Sequence, residues 1–202
     1  LDRLDDARRV GEKGRSVASR LLEQHPTHTL ALRARALLAD SLADIEVNEL
    51  RPAKSLALLD EAAHDWAVMI QVDPSNLIAW SNLAASRLSA AGVLQSLGRP
   101  RAAIARLREL QLLDAKAESS WMVAGSLQEN RARMARIAGE TGDVRLSEQL
   151  RRESLKHFEA ATRDLAAGSF ELSYWRLENL VGDIEIALSQ GDHRRAYGIA
   201  RD

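Results

Sequence analysis

Helix-breaking residues divide this chain into long stretches that favour helices. Pro26, Pro52, Pro74 and Pro100 are its only prolines. Proline disrupts a helix interior because it lacks an amide hydrogen and clashes with the preceding turn. The stretches between these breaks are rich in Ala, Leu, Arg and Glu, which are strong helix formers. Strand-like alternation of β-branched and polar residues is missing. The sequence therefore predicts an all-α fold.

Apolar residues within these stretches recur every three or four positions. Leu56, Leu59, Ala62, Trp66 and Met69 form one such series. This spacing places one apolar stripe on each helix, which must be buried against a neighbour. The predicted helices are 1–24, 28–48, 52–72, 76–97, 100–113, 117–140, 143–167, 171–190 and 193–202. Their short connections predict that consecutive helices are antiparallel neighbours.

Three turns contain a glycine that is expected to end a helix. Gly98, Gly142 and Gly191 can each adopt the left-handed conformation that follows a helix C-terminus. Asp143 and Asp192 come directly after two of these glycines. An aspartate in that position caps the next helix by accepting a backbone N–H hydrogen bond.

The helical hairpins repeat along the chain. Trp80 follows Asp73 by seven residues, and Trp121 follows Asp114 by the same number. Leu32 occupies the tryptophan position in an earlier copy, and Trp175 marks a less regular fourth one. The sequence thus predicts an array of similar two-helix units.

These repeats resemble the tetratricopeptide repeat (TPR) family. The second helix of that repeat carries small and large residues ahead of a proline, a spacing that Ala62, Trp66, Met69 and Pro74 reproduce. The same spacing occurs in two further places, and the first-helix pattern in two more. These residues are Gly14, Ala18, Leu21 and Pro26; Ala103, Leu107, Leu110 and Ala115; Trp80, Leu83 and Ala84; and Trp121, Ala124 and Gly125.

The resemblance implies an α-solenoid of about four antiparallel hairpins, wound as a right-handed superhelix. The expected repeats are about 28–72, 76–113, 117–167 and 171–202, after an N-terminal helix at 1–24. The family repeat is about 34 residues long, whereas Pro26 and Pro74 are 48 residues apart. We therefore expect lengthened helices. We also expect a single repeat domain that is a piece of a larger bacterial protein.

Overall composition disfavours several classes of function. Lys and Arg total 28 against 29 Asp and Glu, a formal net charge of −1. A dedicated nucleic-acid binder usually has a clear excess of basic residues. No apolar run approaches the roughly 20 residues that a membrane span needs, so membrane insertion is not expected. Cysteine is absent, which removes disulfides and thiolate chemistry and leaves the compartment open.

Charge is unevenly distributed along the chain. Residues 40–73 contain eight acids and two bases, whereas residues 99–108 contain four arginines and no acid. Residues 131–156 carry a net charge of +3. Such segments are usually solvated helix faces. The alternative is an acidic and a basic patch that steer a charged partner or a second copy of the chain.

Patterns that would indicate catalysis, a cofactor or a metal are weak. Glu61 and His64 are three residues apart, but a di-iron bundle needs two such pairs. His25 and His28 are expected to be solvated in a loop. The segment from Gly11 to Ser16 lacks the spacing of a phosphate-binding loop. No catalytic, cofactor or metal residue is assigned, and we do not expect an enzyme.

The family resemblance implies that a protein or peptide partner binds along the first helices of the repeats. The residues of this chain that suit such contacts are Arg33, Leu37, Ile78, Asn82, Tyr174 and Trp175. They do not reproduce the cationic clamp with which some relatives hold a carboxylate. We expect a non-catalytic interaction scaffold or regulatory module.

Two other functions remain open. The first is a sensor that holds a small molecule between helices, near Trp175, and controls an effector domain. The second is homodimerisation through the C-terminal hairpin, where Leu177, Leu180, Ile184 and Ala187 would form the contact.

Overall fold

The computed structural model describes residues 2–110, 121–163 and 170–201, and all regular elements in these ranges are helices. The predicted all-α class is therefore confirmed. None of the helices in these ranges is both long and apolar enough to cross a bilayer. The helices are α1 (Asp2–Gln24), α2 (Thr29–Asn48), α3 (Pro52–Val72), α4 (Leu77–Ser96), α5 (Pro100–Arg108), α6 (Trp121–Glu140), α7 (Val144–Thr162), α8 (Phe170–Ser189) and α9 (His193–Arg201).

The chain forms two compact units, Leu1–Gly98 and Arg99–Asp202. In the first unit, each helix from α1 to α4 packs against the next one along the chain. In the second unit, α6 packs against α5, α7 and α8, and α9 packs against α8. Packing between consecutive helices is what short connections produce, because the chain must reverse direction at each turn.

The predicted glycine turns have the expected backbone conformation. The φ angles of Gly98, Gly142 and Gly191 are +68°, +81° and +74°. Asp143 accepts a hydrogen bond from the backbone N–H of Leu146 at 3.0 Å and so caps α7. Asp192 caps α9 in the same way.

Two further helix ends were not foreseen. Leu50 has a φ of +58° and ends α2 without a glycine. Its backbone N–H donates to Val47 O at 2.9 Å, and that of Arg51 donates to Glu46 O at 2.8 Å. His28 is exposed, as expected, and it also caps α2, because its Nδ1 accepts the N–H of Ala31 at 3.3 Å.

The core of the first unit combines small residues with one large aromatic side chain. Trp66 and Ala62 are fully buried in α3. A Cβ added to Gly14 of α1 would lie 2.8 Å from Leu38 Cδ1 of α2, so glycine allows these helices to approach closely. Small residues have the same role in the second unit, where a Cβ on Gly139 of α6 would overlap Ser189 of α8.

The tryptophans differ from one another in how deeply they are buried, and the apolar residues at the two ends of α4 are partly exposed. Trp66 is fully buried, as expected for a core residue, whereas Trp80 is only half-buried. The Nε1 of Trp80 donates to Pro74 O at 3.1 Å, and its side chain packs against the buried core. The side chain of Trp121 lies outside the described part of the structure. Leu77, the first residue of α4, and Leu97, which follows its last residue, are 36% and 41% exposed.

Candidate functional site

Four of the six predicted binding residues lie on one surface of the first unit. Arg33 and Leu37 belong to α2, and Ile78 and Asn82 belong to α4. Leu37 is 43% exposed and Ile78 is 52% exposed, which is high for large apolar side chains. Arg33 is also exposed, and Asn82 is half-buried.

A hydrogen bond places these two sets of residues side by side. Asp40 follows Leu37 by three positions on α2, and Ser86 follows Asn82 by four positions on α4. Residues spaced by three or four share one face of a helix. Since Ser86 Oγ donates to Asp40 Oδ1 at 2.9 Å, the two faces are neighbours. We call this surface the α2/α4 face; it consists of Arg33, Leu37, Asp40, Asp44, Ile78 and Asn82.

Asp40 is the unusual group on the α2/α4 face. It accepts hydrogen bonds from Ser86 Oγ and, at 3.4 Å, from Trp66 Nε1. Within the described part of the chain, no cation lies within ion-pair distance of Asp40. Burial raises the pKa of its carboxyl group from 3.8 to about 6. The bonds from Ser86 and Trp66 oppose this shift, and the charge of Asp44 adds to it.

Most other acids of segment 40–73 are neutralised within the unit. Each of five acids forms an ion pair with an arginine or lysine of the described chain, and Asp73 accepts hydrogen bonds from Ser75. Asp40, Asp44 and Asp73 form no ion pair among the described residues, and of these Asp40 and Asp44 lie on α2. The predicted acidic patch is therefore reduced to these three carboxylates. The neutralised acids are Glu46, Glu49, Asp60, Glu61 and Asp65.

The α2/α4 face presents cationic, apolar and acidic groups in sequence. Arg33 has no ion pair among the described residues, and it lies one turn before Leu37. The amide of Asn82 donates to Ile78 O at 2.9 Å, so it is partly engaged within its own helix. Beyond the apolar pair come Asp40 and Asp44. This arrangement can hold a partner by side-chain contacts.

The other two predicted binding residues cannot be placed on this face. Tyr174 and Trp175 lie in α8, in the second unit. Their side chains fall outside the described part of the structure.

Two buried ion-pair networks were missed by the sequence reasoning. Asp65 is fully buried in α3 and receives two hydrogen bonds from Arg35 of α2, at 2.7 and 2.8 Å. Glu46 is also fully buried; it lies 2.7 Å from Arg51 Nε and 3.0 Å from Lys54 Nζ.

A third cation completes the network around Glu46. Arg8 Nε of α1 lies 3.4 Å from Glu46 Oε1. Burial alone would raise the pKa of Glu46, but Lys54, Arg51 and Arg8 together hold it below its ordinary value. A polar residue inside an apolar pattern is the sequence signal for such pairs. It does not identify the partner, which comes from another helix.

The second unit contains a small polar cleft between α6 and α8. Its volume is about 190 Å³. Arg136 on one wall lies 3.3 Å from Glu185 on the other, so the main charges of the cleft neutralise each other. Its remaining lining residues are Gln128, Glu129, Ala132, Arg133, Val181 and Gly182.

Glu61, one of the residues considered for metal binding, is engaged by two arginines in the structure. Glu61 lies 3.2 Å from Arg15 and 3.7 Å from Arg35, while His64 is exposed. Over the described ranges, no three His, Asp or Glu side chains come together as a metal site would require.

Comparisons with known proteins give little similarity. No protein-family model matches this chain, and no curated protein is significantly similar to it. Among solved structures, the crystal structure of BtubC (BKLC) from P. vanneervenii aligns with 98% of this chain and 88% of that chain. The sequence identity is 16% and the TM-score is 0.40, values that assign neither a family nor a function.

Proposed function

We propose that this chain is a non-catalytic protein-interaction module built from TPR-like hairpins stacked as an α-solenoid. It would serve as a scaffold or regulatory part of a larger protein. Sequential helix packing, glycine-containing turns and small residues at helix contacts support the repeat architecture. The α2/α4 face is the observation on which this function rests, because it exposes large apolar side chains beside charges that form no ion pair among the described residues.

The composition of the α2/α4 face defines the kind of segment that would bind. Apolar side chains of the partner would cover Leu37 and Ile78. A lysine or arginine would pair with Asp40 and Asp44, and a carboxylate with Arg33. Burying an exposed large apolar side chain contributes roughly 1.5–3 kcal/mol. Charges at the two ends would fix the direction of the bound segment.

A peptide-display selection tests this function. Random peptides would be selected on the wild-type protein and then measured by fluorescence anisotropy against the double variant Leu37→Glu, Ile78→Glu. We expect enriched peptides to combine apolar and basic residues, and their affinity to fall at least about tenfold in the double variant.

Val17→Glu is the matched control, because Val17 is 53% exposed on α1 and lies outside the face. Circular dichroism would establish that each variant remains folded. Peptides that bind the double variant as well as the wild type would contradict the proposal, as would a selection that enriches no sequence.

Among the described residues, two spaces between helices bear on the sensor function. An apolar groove of about 420 Å³ lies between α1 and α2 in the first unit, whereas the sequence placed the ligand near Trp175 of the second unit. The cleft between α6 and α8 has a volume of about 190 Å³, which is below the usual range of ligand pockets, roughly 300–1,000 Å³. Its internal Arg136–Glu185 pair also leaves little uncompensated charge for a ligand. We therefore place this function second.

Homodimerisation through the C-terminal hairpin is supported by two exposed side chains of α8. Leu177 is 57% exposed and Leu180 is 40% exposed. Ala187 is fully buried and Ile184 is half-buried, so the expected contact surface is smaller than the sequence indicated. Light scattering of the wild type and of Leu180→Glu at high micromolar concentration would distinguish a dimer from a monomer.

A further inference from the structure

A second surface, in the second unit, combines an apolar floor with two unused arginines. It is an open cleft of about 340 Å³ between α5 and the turn that joins α6 to α7. We call it the α5 cleft. It is lined by Arg101, Ile104 and Arg108 of α5, by Thr141 and Asp143 of the turn, and by Leu146 of α7.

The shape of the α5 cleft follows from helix geometry. Arg101 and Arg108 are seven residues apart, which places them on the same side of α5 and about 10 Å apart along its axis. Ile104 lies between them and is 9% exposed, and Leu146 opposite is half-buried. The two cations therefore flank an apolar patch.

The charges of this cleft are not balanced internally. Arg101 and Arg108 are exposed, and neither forms an ion pair within the described ranges. Arg106, on another side of α5, does pair with Glu109, at 3.6 Å. Asp143 is the one acid of the lining, and its carboxylate accepts the N–H of Leu146 at 3.0 Å. Thr141 Oγ1 donates to carbonyls of α6.

We propose that the α5 cleft binds an acidic peptide segment of a partner protein. Two carboxylates of the segment pair with Arg101 and Arg108, and an apolar side chain between them covers Ile104 and Leu146. A guanidinium group suits this role because it holds a carboxylate through two parallel hydrogen bonds. The proposal is independent of the α2/α4 face, which lies in the other unit.

A peptide fits the α5 cleft better than a nucleic acid does. The lining contains no aromatic side chain on which a base could stack. Phosphates would also gain nothing from the apolar floor formed by Ile104 and Leu146. The formal net charge of −1 also gives no general attraction to a polyanion.

Fluorescence anisotropy with a defined probe tests the proposal. The probe is a fluorescein-labelled peptide with two leucines flanked on each side by two glutamates; a second peptide carries glutamines instead. We expect the first peptide to bind and the second to bind at least about tenfold more weakly. Arg101→Gln and Arg108→Gln should each weaken binding by about tenfold, and added salt should weaken it further.

Arg194→Gln is the matched control, since Arg194 is exposed on α9 of the same unit and lies outside the cleft. Equal binding of the two peptides, or equal losses in Arg108→Gln and Arg194→Gln, would overturn the proposal. Absence of binding up to millimolar peptide would also overturn it.

Two other occupants have distinct outcomes in the same assay. Tighter binding of a labelled single-stranded oligonucleotide would assign the cleft to nucleic acid and overturn the proposal. Sedimentation of the wild type and of Arg108→Gln covers the remaining case. If the wild type is a dimer and Arg108→Gln is a monomer, the cleft is filled by a second copy of the chain, and the proposal is overturned.

Discussion

Leu50 is a residue whose side chain conflicts with its backbone conformation. Its φ of +58° is the left-handed region, which costs a residue with a Cβ roughly 1–2 kcal/mol. The side chain is 88% exposed and so gains little from packing. Relief of this strain should exceed the extra chain entropy that glycine loses on folding, so we expect Leu50→Gly to raise the free energy of unfolding by about 0.5–1 kcal/mol. Urea unfolding followed by circular dichroism measures the change.

Leu50→Ala separates the backbone effect from the side chain. Alanine removes the exposed apolar group but keeps the Cβ, so it should not reproduce the gain. Equal stabilisation by alanine and glycine would show that the φ angle is not the cause.

Asp40 is a residue whose burial conflicts with its charge. Its pKa of about 6 in the folded chain exceeds the ordinary 3.8. The folded state therefore favours the protonated acid, and its contribution to stability is lost as pH rises from about 4 through 6. Asp40→Asn keeps an oxygen that can accept from Ser86 and Trp66 and carries no charge.

We expect Asp40→Asn to stabilise the protein near pH 7 by about 1–2 kcal/mol, after allowance for solvent contact. Near pH 4 the two proteins should be equally stable. Thermal unfolding at both pH values checks the prediction, and a gain of the same size at both would contradict it.

At the scale of helices, the close contact between α6 and α8 depends on one glycine. A Cβ on Gly139 would overlap Ser189 Oγ and lie 3.2 Å from Ser189 Cβ. We expect Gly139→Ala to lower the free energy of unfolding by about 1–3 kcal/mol through overpacking. Denaturant unfolding measures the loss, and adding Ser189→Gly should recover part of it.

Gly198→Ala provides the contrast within a helix. Nothing lies within 4 Å of a Cβ at Gly198 in α9. Alanine is the better helix former there and should stabilise by about 0.5–1 kcal/mol. If Gly139→Ala raised the free energy of unfolding as Gly198→Ala should, helix propensity rather than packing would determine the effect of a substitution at position 139.

The sequence predicted the helices and their turns well because these depend on local chemistry. Gly142 and Asp143 specify the end of one helix and the cap of the next without reference to the rest of the chain. The left-handed Leu50 was missed, because leucine gives no local signal for that conformation. Its position follows from the hydrogen bonds around it.

The candidate site was predicted only in part. Arg33, Leu37, Ile78 and Asn82 could be assigned to faces of helices from their spacing. Asp40 and Asp44 matter for the site because neighbouring acids form ion pairs with cations of other helices and, among the described residues, these two do not. Periodicity along one helix does not contain that information, so the predicted acidic patch was too large.

At the scale of the whole molecule, carboxylates whose pKa values are shifted in opposite directions should produce a maximum in stability as pH varies. Arg195 and Gln190 hold the pKa of Glu148 below its ordinary value, as the cations around it do for Glu46. Their contributions are lost as pH falls below about 4.5. Protonation of Asp40 has the opposite effect, because it raises the free energy of unfolding as the pH falls from about 6 to 4.

We therefore expect the free energy of unfolding to be greatest near pH 5, in a series of urea titrations. Asp40→Asn should move the maximum towards neutral pH. A wild-type curve that is flat from about pH 4 to 7 would contradict the prediction.

The network around Glu46 implies an asymmetry in how this protein can change during evolution. Arg8, Arg51 and Lys54 share one buried carboxylate, so the loss of any one cation leaves two to neutralise it. Loss of Glu46 would instead remove the carboxylate common to three neighbouring cations, of which Arg8 and Arg51 would still pair with Glu49. Sequence drift should therefore be tolerated at the three basic positions one at a time, while position 46 stays acidic until all of them have changed.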